Sequence, residues 1–336
     1  MASRRASPMT VVGAGSWGTA LAIQFAREGH STCLWGRDAT QLEAMRSARR
    51  NVRYLPDASF PDNLQVADEL APLLAGSGDA LIAVPSHAFR ATLQRIEPLL
   101  GEHTRVAWAT KGFEIATGLL PHQVAEQVLG NRPAAVLSGP TFAKEVGAGL
   151  PTAMTVASRD ERFAKDLALS LTGPNFRAYT QRDIIGVEVG GAVKNVIAIG
   201  SGIADGMGFG ANTRVALITR GLAEMMRLGV KLGAARETLM GLAGLGDLVL
   251  TCTDDQSRNR RLGLALGSGL PLSEAQNSIQ QVVEGFPAAR AVYDVAHRLA
   301  VDMPICREIY RVMYENRPVR DAVQALMGRD VRSEAE

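Results

Sequence analysis

One lysine stands in the middle of an apolar stretch. Between Ile184 and Gly202 the only charged residues are Glu188 and Lys194, and six helical positions put them on different faces. A helix that is apolar all round is buried, so the Lys194 ammonium needs a partner or a substrate to offset its lost hydration. Burial also lowers a lysine pKa toward neutrality, as general acid/base chemistry requires. Gly190 and Gly191 precede it and leave room for another backbone or a ligand. Asp247 is the opposite case, the only charge between Glu237 and Asp254. Two isolated charges of opposite sign suggest a pair, either catalytic or a purely structural buried salt bridge.

A second cluster points to an anion. Ser257-Arg258-Asn259 reads as the opening of a helix, where Arg258, Arg260 and Arg261 oppose the helix dipole unless a phosphate sits there too. Arg258 is the residue assigned to that phosphate; Arg260 and Arg261 read as a solvated basic run. Lys111, in Thr110-Lys111-Gly112, follows a β-type run, at the edge where ligands of open α/β sheets bind. Gly139-Pro140-Thr141-Phe142-Ala143-Lys144 follows another, with Thr141 a possible N-cap and Lys144 a surface charge. The five histidines and the three cysteines, Cys33, Cys252 and Cys306, lack metal-ligand spacing. No metal is expected, and the cysteines suit a reducing cytoplasm better than a disulfide framework.

Gly13-Ala14-Gly15-Ser16-Trp17-Gly18 has the G-x-G-x-x-G spacing between a β-type run and a helical one. Gly13 permits the tight turn, Gly15 lets backbone approach a pyrophosphate, and Gly18 lets helix pack on strand. An NAD-specific site of this type has an acidic residue ending the second strand; here that strand ends Trp35-Gly36-Arg37-Asp38. Arg37 suits a 2′-phosphate, while Asp38 can serve as a helix N-cap or a ribose acceptor, so NADP(H) is admitted and preferred and NAD(H) is still accepted.

These residues need a scaffold, and 336 residues favour two domains. The hydrophobic share of 46% and charged share of 21% describe an ordinary globular chain, and a net charge of +2 advertises neither nucleic acid nor a membrane surface as main partner. The apolar stretch around Lys194 carries too many charges and glycines for an integral membrane segment. Short β-type runs alternate with helical ones up to about Thr180: Met9–Val12, Ser31–Trp35, Ala80–Val84, Arg105–Trp108, Ala134–Leu137, Ala153–Ala157 and Phe176–Tyr179. Thereafter the chain reads as helices, with a glycine-rich break at Ser201–Asn212 and Thr213 capping the helix that follows. The expected class is α/β: a Rossmann-like dinucleotide-binding domain with a mostly parallel sheet over residues 9–182, an all-α substrate domain over 183–328, and mobile tails at 1–8 and 329–336.

Taken together, the motifs resemble those of the bacterial NAD(P)-dependent glycerol-3-phosphate dehydrogenases along nearly the whole chain. The resemblance runs through Gly13 to Ala22, Val84-Pro85-Ser86-His87, Thr110-Lys111-Gly112, Gly139 to Glu145, Lys194-Asn195, Gly246-Asp247-Leu248, Thr251-Cys252-Thr253, Ser257-Arg258-Asn259 and Val283-Glu284-Gly285. It implies interconversion of dihydroxyacetone phosphate and sn-glycerol 3-phosphate for phospholipid synthesis, with Lys194 as the catalytic lysine. It further implies substrate contacts from Lys111, Gly139, Thr141, Lys194, Asp247, Ser257, Arg258 and Asn259. Cofactor contacts would come from Ser16, Trp17, Arg37, Lys111, Ala143, Arg258, Val282 and Glu284. A β-hydroxyacid dehydrogenase of similar architecture and a non-catalytic NADPH sensor are the alternatives, and a homodimer stays open. Gly147, where the family often has alanine, and Phe286-Pro287 are mild departures.

Overall fold

Strand β1 (Met9–Val12) is buried at all four positions, because helices cover both faces of the sheet it belongs to. The computed structural model describes residues 8–279 and 282–328, so the expected tails lie outside the described residues except for Pro8. Its carbonyl accepts hydrogen bonds from Gly78 and Asp79, so Pro8 extends β1 instead of belonging to a tail.

The other strands are β2 (Thr32–Trp35), β3 (Arg50–Asn51), β4 (Leu55–Ser59), β5 (Leu64–Ala67), β6 (Asp79–Ile82), β7 (Arg105–Trp108), β8 (Ala134–Ser138), β9 (Thr152–Ala157) and β10 (Phe176–Gln181). Eight form one sheet in the order β10-β9-β8-β7-β6-β1-β2-β5, parallel except between β8 and β9. Each of the seven strands read from the sequence overlaps an observed one; β3, β4 and β5 are additional. In β4 the side chains run buried, exposed, exposed, buried, exposed, so it carries no alternation from which a strand could be read.

Helices α1 (Ser16–Arg27), α2 (Ala39–Ala48), α3 (Leu70–Gly76), α4 (Ser86–Ile96), α5 (Pro121–Leu129), α6 (Ala143–Ala148) and α7 (Glu161–Leu171) accompany the sheet. Asp38 caps α2 and Asp160 caps α7, each carboxylate accepting a backbone N–H three residues on, at 3.1 and 3.0 Å. Since α6 makes fewer than two turns, the chain turns back at the same end of the sheet, which is why β9 runs antiparallel to β8.

From Ile184 onward the described chain is helical: α8 (Ile184–Gly206), α9 (Ala211–Leu232), α10 (Arg236–Leu239), α11 (Asp247–Thr253), α12 (Arg258–Gly267), α13 (Leu272–Asn277), α14 (Gly285–Arg298), α15 (Pro304–Tyr314) and α16 (Val319–Met327). A π turn, Leu242–Gly246, leads into α11. Helix α8 continues through much of the expected glycine-rich break. Gly202 and Gly206 lie against backbone of α12, while Gly263 and Gly267 of α12 lie against backbone of α8, so these glycines serve close helix packing. Nor does Thr213 cap α9, which starts two residues earlier with Gly210 at its N-cap.

Val189, Val193, Val196 and Ile197 place α8 at the centre of the helical core, while Ile184 and Val187 at its start join the core on one face of the sheet with Trp108. By length and a mean hydropathy of 1.4 over an 18-residue window, α8 could cross a membrane, but 89% of that window is buried inside the protein.

Candidate active site

The chain segments that leave the carboxyl ends of β7 and β8 meet the side of α8, where Gly191 faces Lys111 and Ser138. After β7, the Thr110 hydroxyl donates to the Val84 carbonyl at 2.7 Å, tying this loop to the one after β6. Lys111 follows, and its aliphatic stem runs over Gly191, where an added Cβ would sit 3.3 Å from Lys111 Cγ. Gly190 faces the backbone of Ala243 in the π turn, so the two glycines before Lys194 admit one backbone and one side chain. After β8, Gly139 has φ +154°, and a side chain there would meet the Met154 backbone at 2.9 Å.

The two isolated charges do meet. Lys194 Nζ lies 2.5 Å from Asp247 Oδ1, and Lys111 Nζ lies 2.7 Å from Asp247 Oδ2, so one buried carboxylate holds two ammonium groups. Thr251 completes the cluster, accepting from Lys194 Nζ at 3.1 Å while its hydroxyl donates to the Asp247 carbonyl at 2.5 Å. Burial pushes the Lys194 pKa down to about 8; Asp247 opposes the shift, Lys111 reinforces it and Glu284 opposes it. Thr251 was not among the candidate side chains. Its i+4 spacing from Asp247 is a signal only once Asp247 is known to face inward.

Helix α12 begins beside this cluster. The Ser257 hydroxyl caps it, accepting from Arg260 N at 3.2 Å. Asn259 donates to Asn195 Oδ1 at 2.9 Å and accepts from Gly285 N at 2.8 Å, linking the residue after Lys194 to the residue after Glu284. Arg258 is half-buried at the helix start. Arg260, expected in a solvated run, is instead buried, pairing with Asp205 and with Asp255 at 2.8 Å. The packing of α12 on α8 supplies Asp205, a partner 55 residues away that spacing cannot reveal. Arg261 is exposed, as expected. Thr141 does not cap α6, whose N-cap position is Phe142; its hydroxyl donates to the Gly139 carbonyl at 3.3 Å. Lys144 is exposed, and Glu145 reaches Gln256, just before Ser257, at 2.9 Å.

At the other end, Gly13 has φ +128° and abuts the Ala83 carbonyl, so the turn tolerates only glycine there. Gly15 faces open space at the N-terminus of α1, which no side chain caps. The Trp17 indole N–H beside it is buried without a hydrogen-bond partner among the described residues. Ser16 is half-buried, while Arg37 and Val282 are exposed. Asn51 Nδ2 and Gln41 Nε2 both donate to the Ala14 carbonyl, at 3.1 and 2.8 Å, so the β3-β4 hairpin and α2 together brace the glycine turn. That hairpin also brings Arg53 to 4.0 Å from Asp38, a second guanidinium beside the end of β2 that spacing did not reveal.

The family description NAD-dependent glycerol-3-phosphate dehydrogenase N-terminus matches residues 8–164, and the corresponding C-terminus description matches residues 183–324. The chain belongs to the NAD-dependent glycerol-3-phosphate dehydrogenase family. A relative named glycerol-3-phosphate dehydrogenase, NAD(P)+, from Pseudoalteromonas translucida is 56% identical over 334 residues, spanning 99% of this chain and 100% of the relative. One of the same name from Tolumonas auensis is 54% identical over 328 residues, spanning 97% and 98%. The crystal structure of glycerol-3-phosphate dehydrogenase from Coxiella burnetii superposes with a TM-score of 0.93 at 48% identity, covering 96% of this chain and 99% of that one. The Rossmann-like sheet followed by a helical bundle is therefore the family's architecture. A D-mandelate dehydrogenase with a TM-score of 0.62 and 12% identity shares the fold alone.

Proposed function

We propose that this chain interconverts dihydroxyacetone phosphate and sn-glycerol 3-phosphate with NADP(H) or NAD(H), in a reducing cytoplasm, and so supplies the backbone of phospholipids. The observation that carries the reading is the Lys194–Asp247–Lys111 cluster at the carboxyl edge of the sheet. In this reading residues 9–182 hold the dinucleotide and residues 183–328 supply the acid and the phosphate site.

The turn at Gly13, Gly15 and Gly18 suits a dinucleotide: among the described residues Gly15 is open, the first N–H groups of α1 lack a side-chain cap, and the Trp17 indole is an orphaned donor. Gly13, Gly15, Ser16, Trp17 and Gly18 would hold the pyrophosphate half, with Arg37 on the 2′-phosphate and Arg53 as a second cation. Lys111, Ala143, Arg258, Val282 and Glu284 would contact the remainder.

When bound, the reduced nicotinamide supplies the hydride that attacks the C2 carbonyl. Lys194 donates a proton to the oxygen on C2 as its negative charge develops, and its lowered pKa brings it close to neutral pH. Asp247 keeps the ammonium aimed, and Thr251 supports the same nitrogen from the next turn of α11. Lys111, on the second carboxylate oxygen, adds positive charge on the substrate side. Ser257, Arg258 and Asn259 at the start of α12 bind the phosphate, and Gly139 and Thr141 after β8 add substrate contacts, so remote binding energy orients C2.

Following NADPH and NADH absorbance separately with dihydroxyacetone phosphate tests the reading. Oxidation of either cofactor by dihydroxyacetone phosphate supports it; turnover of 3-hydroxyacids with none of dihydroxyacetone phosphate would replace it with the hydroxyacid alternative.

A further inference from the structure

Glu188, the other charge of α8, has no part in the chemistry above, yet it is 3% exposed and fully engaged. Its Oε1 accepts the Trp108 indole N–H and the His122 backbone N–H, both at 2.9 Å, and its Oε2 pairs with His122 Nδ1 at 2.5 Å. Trp108 ends β7, three residues before Lys111, and Glu188 lies six residues before Lys194, about 9 Å along α8. Between these points the Lys111 stem lies over Gly191. A stretch of α8 shorter than two turns is thus fastened to the end of β7 at three places: Glu188 on Trp108, Gly191 on Lys111, and Lys194 on Lys111 through Asp247.

We propose that Glu188 is a positioning residue, whose bonds to Trp108 and His122 set the rotation and advance of α8 on β7 and so place Lys194 Nζ beside Lys111 Nζ. The inference rests on the reading that both amines face the substrate. The glycine contacts of α8 set its approach to α12 and to the π turn, whereas on the β7 side a carboxylate with three aimed donors adds a directional constraint that apolar burial lacks. A buried carboxylate that only filled space would be a costly choice, since burial disfavours its charged form and only the His122 and Trp108 bonds oppose that. Registry is the best-attested use of such a group.

The test compares Glu188→Gln with Glu188→Val in the full chain, measuring kcat, the KM for each substrate and the pH profile of kcat. Gln can still accept from Trp108 and the His122 backbone and donate to His122 Nδ1 in the other ring tautomer, so it should retain more than about a third of kcat. Val leaves those donors unpaired, and because a displacement near 1 Å can cost about 10²-fold, kcat should fall at least ~10-fold while the KM for NADPH stays within about twofold. Because Asp247, Lys111, Glu284 and Cys252 face Lys194, a shift of that amine should also move the alkaline limb of the Val profile. A folded Val variant with wild-type kcat and limb overturns the inference, as does a Gln variant as impaired as Val. Should Val fail to fold, Trp108→Phe removes only the indole donor: a ~3- to 10-fold loss in kcat with a moved limb supports the inference, and wild-type behaviour overturns it. Lys194→Ala measured in parallel separates the two readings. Full activity there sinks the site assignment, whereas full activity in Glu188→Val alone sinks only this inference.

Discussion

Lys194 and Asp247 sit 53 residues apart in the chain and 2.5 Å apart in the fold, on α8 and α11. The carboxylate does not serve Lys194 alone, because its second oxygen holds Lys111 from the other side of the site. Removing Lys194 therefore deletes the proposed proton donor without leaving Asp247 unpaired. Lys194→Ala should lower kcat by ~10² to 10⁴, the usual worth of a positioned general acid, and leave NADPH binding nearly intact. Fluorescence titration with NADPH beside steady-state kinetics checks both halves, and wild-type kcat would remove the role.

The pH profile should carry the Lys194 signature. In the proposed mechanism the protonated amine is the donor in the reducing direction, so kcat/KM for dihydroxyacetone phosphate should fall above about pH 8, while oxidation of sn-glycerol 3-phosphate should gain toward the same pH. Asp247 raises this pKa and Lys111 lowers it, with Glu284 and Cys252 also facing the amine. Asp247→Asn should therefore move the limb to lower pH. A limb that stays in place would assign the titration to another group.

Arg258 stands at the start of α12 beside Ser257 and Asn259. If it makes a charged hydrogen bond to the substrate phosphate, Arg258→Ala should cost roughly 1.5 to 3 kcal/mol in kcat/KM for dihydroxyacetone phosphate, about 10- to 150-fold. The KM for NADPH should rise as well. An unchanged kcat/KM would refute the assignment.

The proposed cofactor preference assigns the 2′-phosphate to two exposed arginines, Arg37 and Arg53. Arg37→Leu should lower kcat/KM for NADPH much more than for NADH, and Arg53→Leu should do the same to a smaller extent, since Asp38 at 4.0 Å already competes for it. Both effects should shrink as salt rises from about 0.01 to 0.15 M, because exposed contacts are screened. Equal losses for both cofactors would make the arginines structural.

Glu224 ties α9 to α15, accepting from Ile305 N at 2.6 Å and Cys306 N at 3.1 Å. Burial pushes its pKa up to about 7 against the pull of those bonds, from 4.5 in an unfolded chain. Between these values the folded state binds more protons, so stability from this group is present at pH 4.5 and is lost as pH rises to about 7, at up to about 1 kcal/mol per pH unit. Urea midpoints of wild type and Glu224→Gln, measured from pH 5 to 7.5, should diverge along that slope. A pH-independent difference would show that Glu224 stays ionised.

Much was legible in the linear sequence because local rules govern it. Burial on both sheet faces produces continuous apolar strands, the G-x-G-x-x-G turn needs glycines at fixed steps, and a lone charge in an apolar helix announces itself through its desolvation cost. Those rules exposed Lys194, Asp247, the glycine turn and most of the sheet order's raw material. Tertiary structure decided the rest. Arg260 reads as a solvated cation until α12 packs on α8 and supplies Asp205. Within Ser201–Asn212, Gly208 and Gly210 do mark the break between α8 and α9, but Gly202 and Gly206 belong to α8, where their contact with α12 shows that a missing Cβ lets two backbones approach. Arg53 reaches the end of β2 only because a hairpin without alternating burial folds back toward Asp38. Thr251 and Lys111 become neighbours of Lys194 only when α8, α11 and the end of β7 converge. Sequence spacing records what each residue needs locally, but which distant group meets the need depends on how helices and strands pack, and that is set by the fit of whole surfaces.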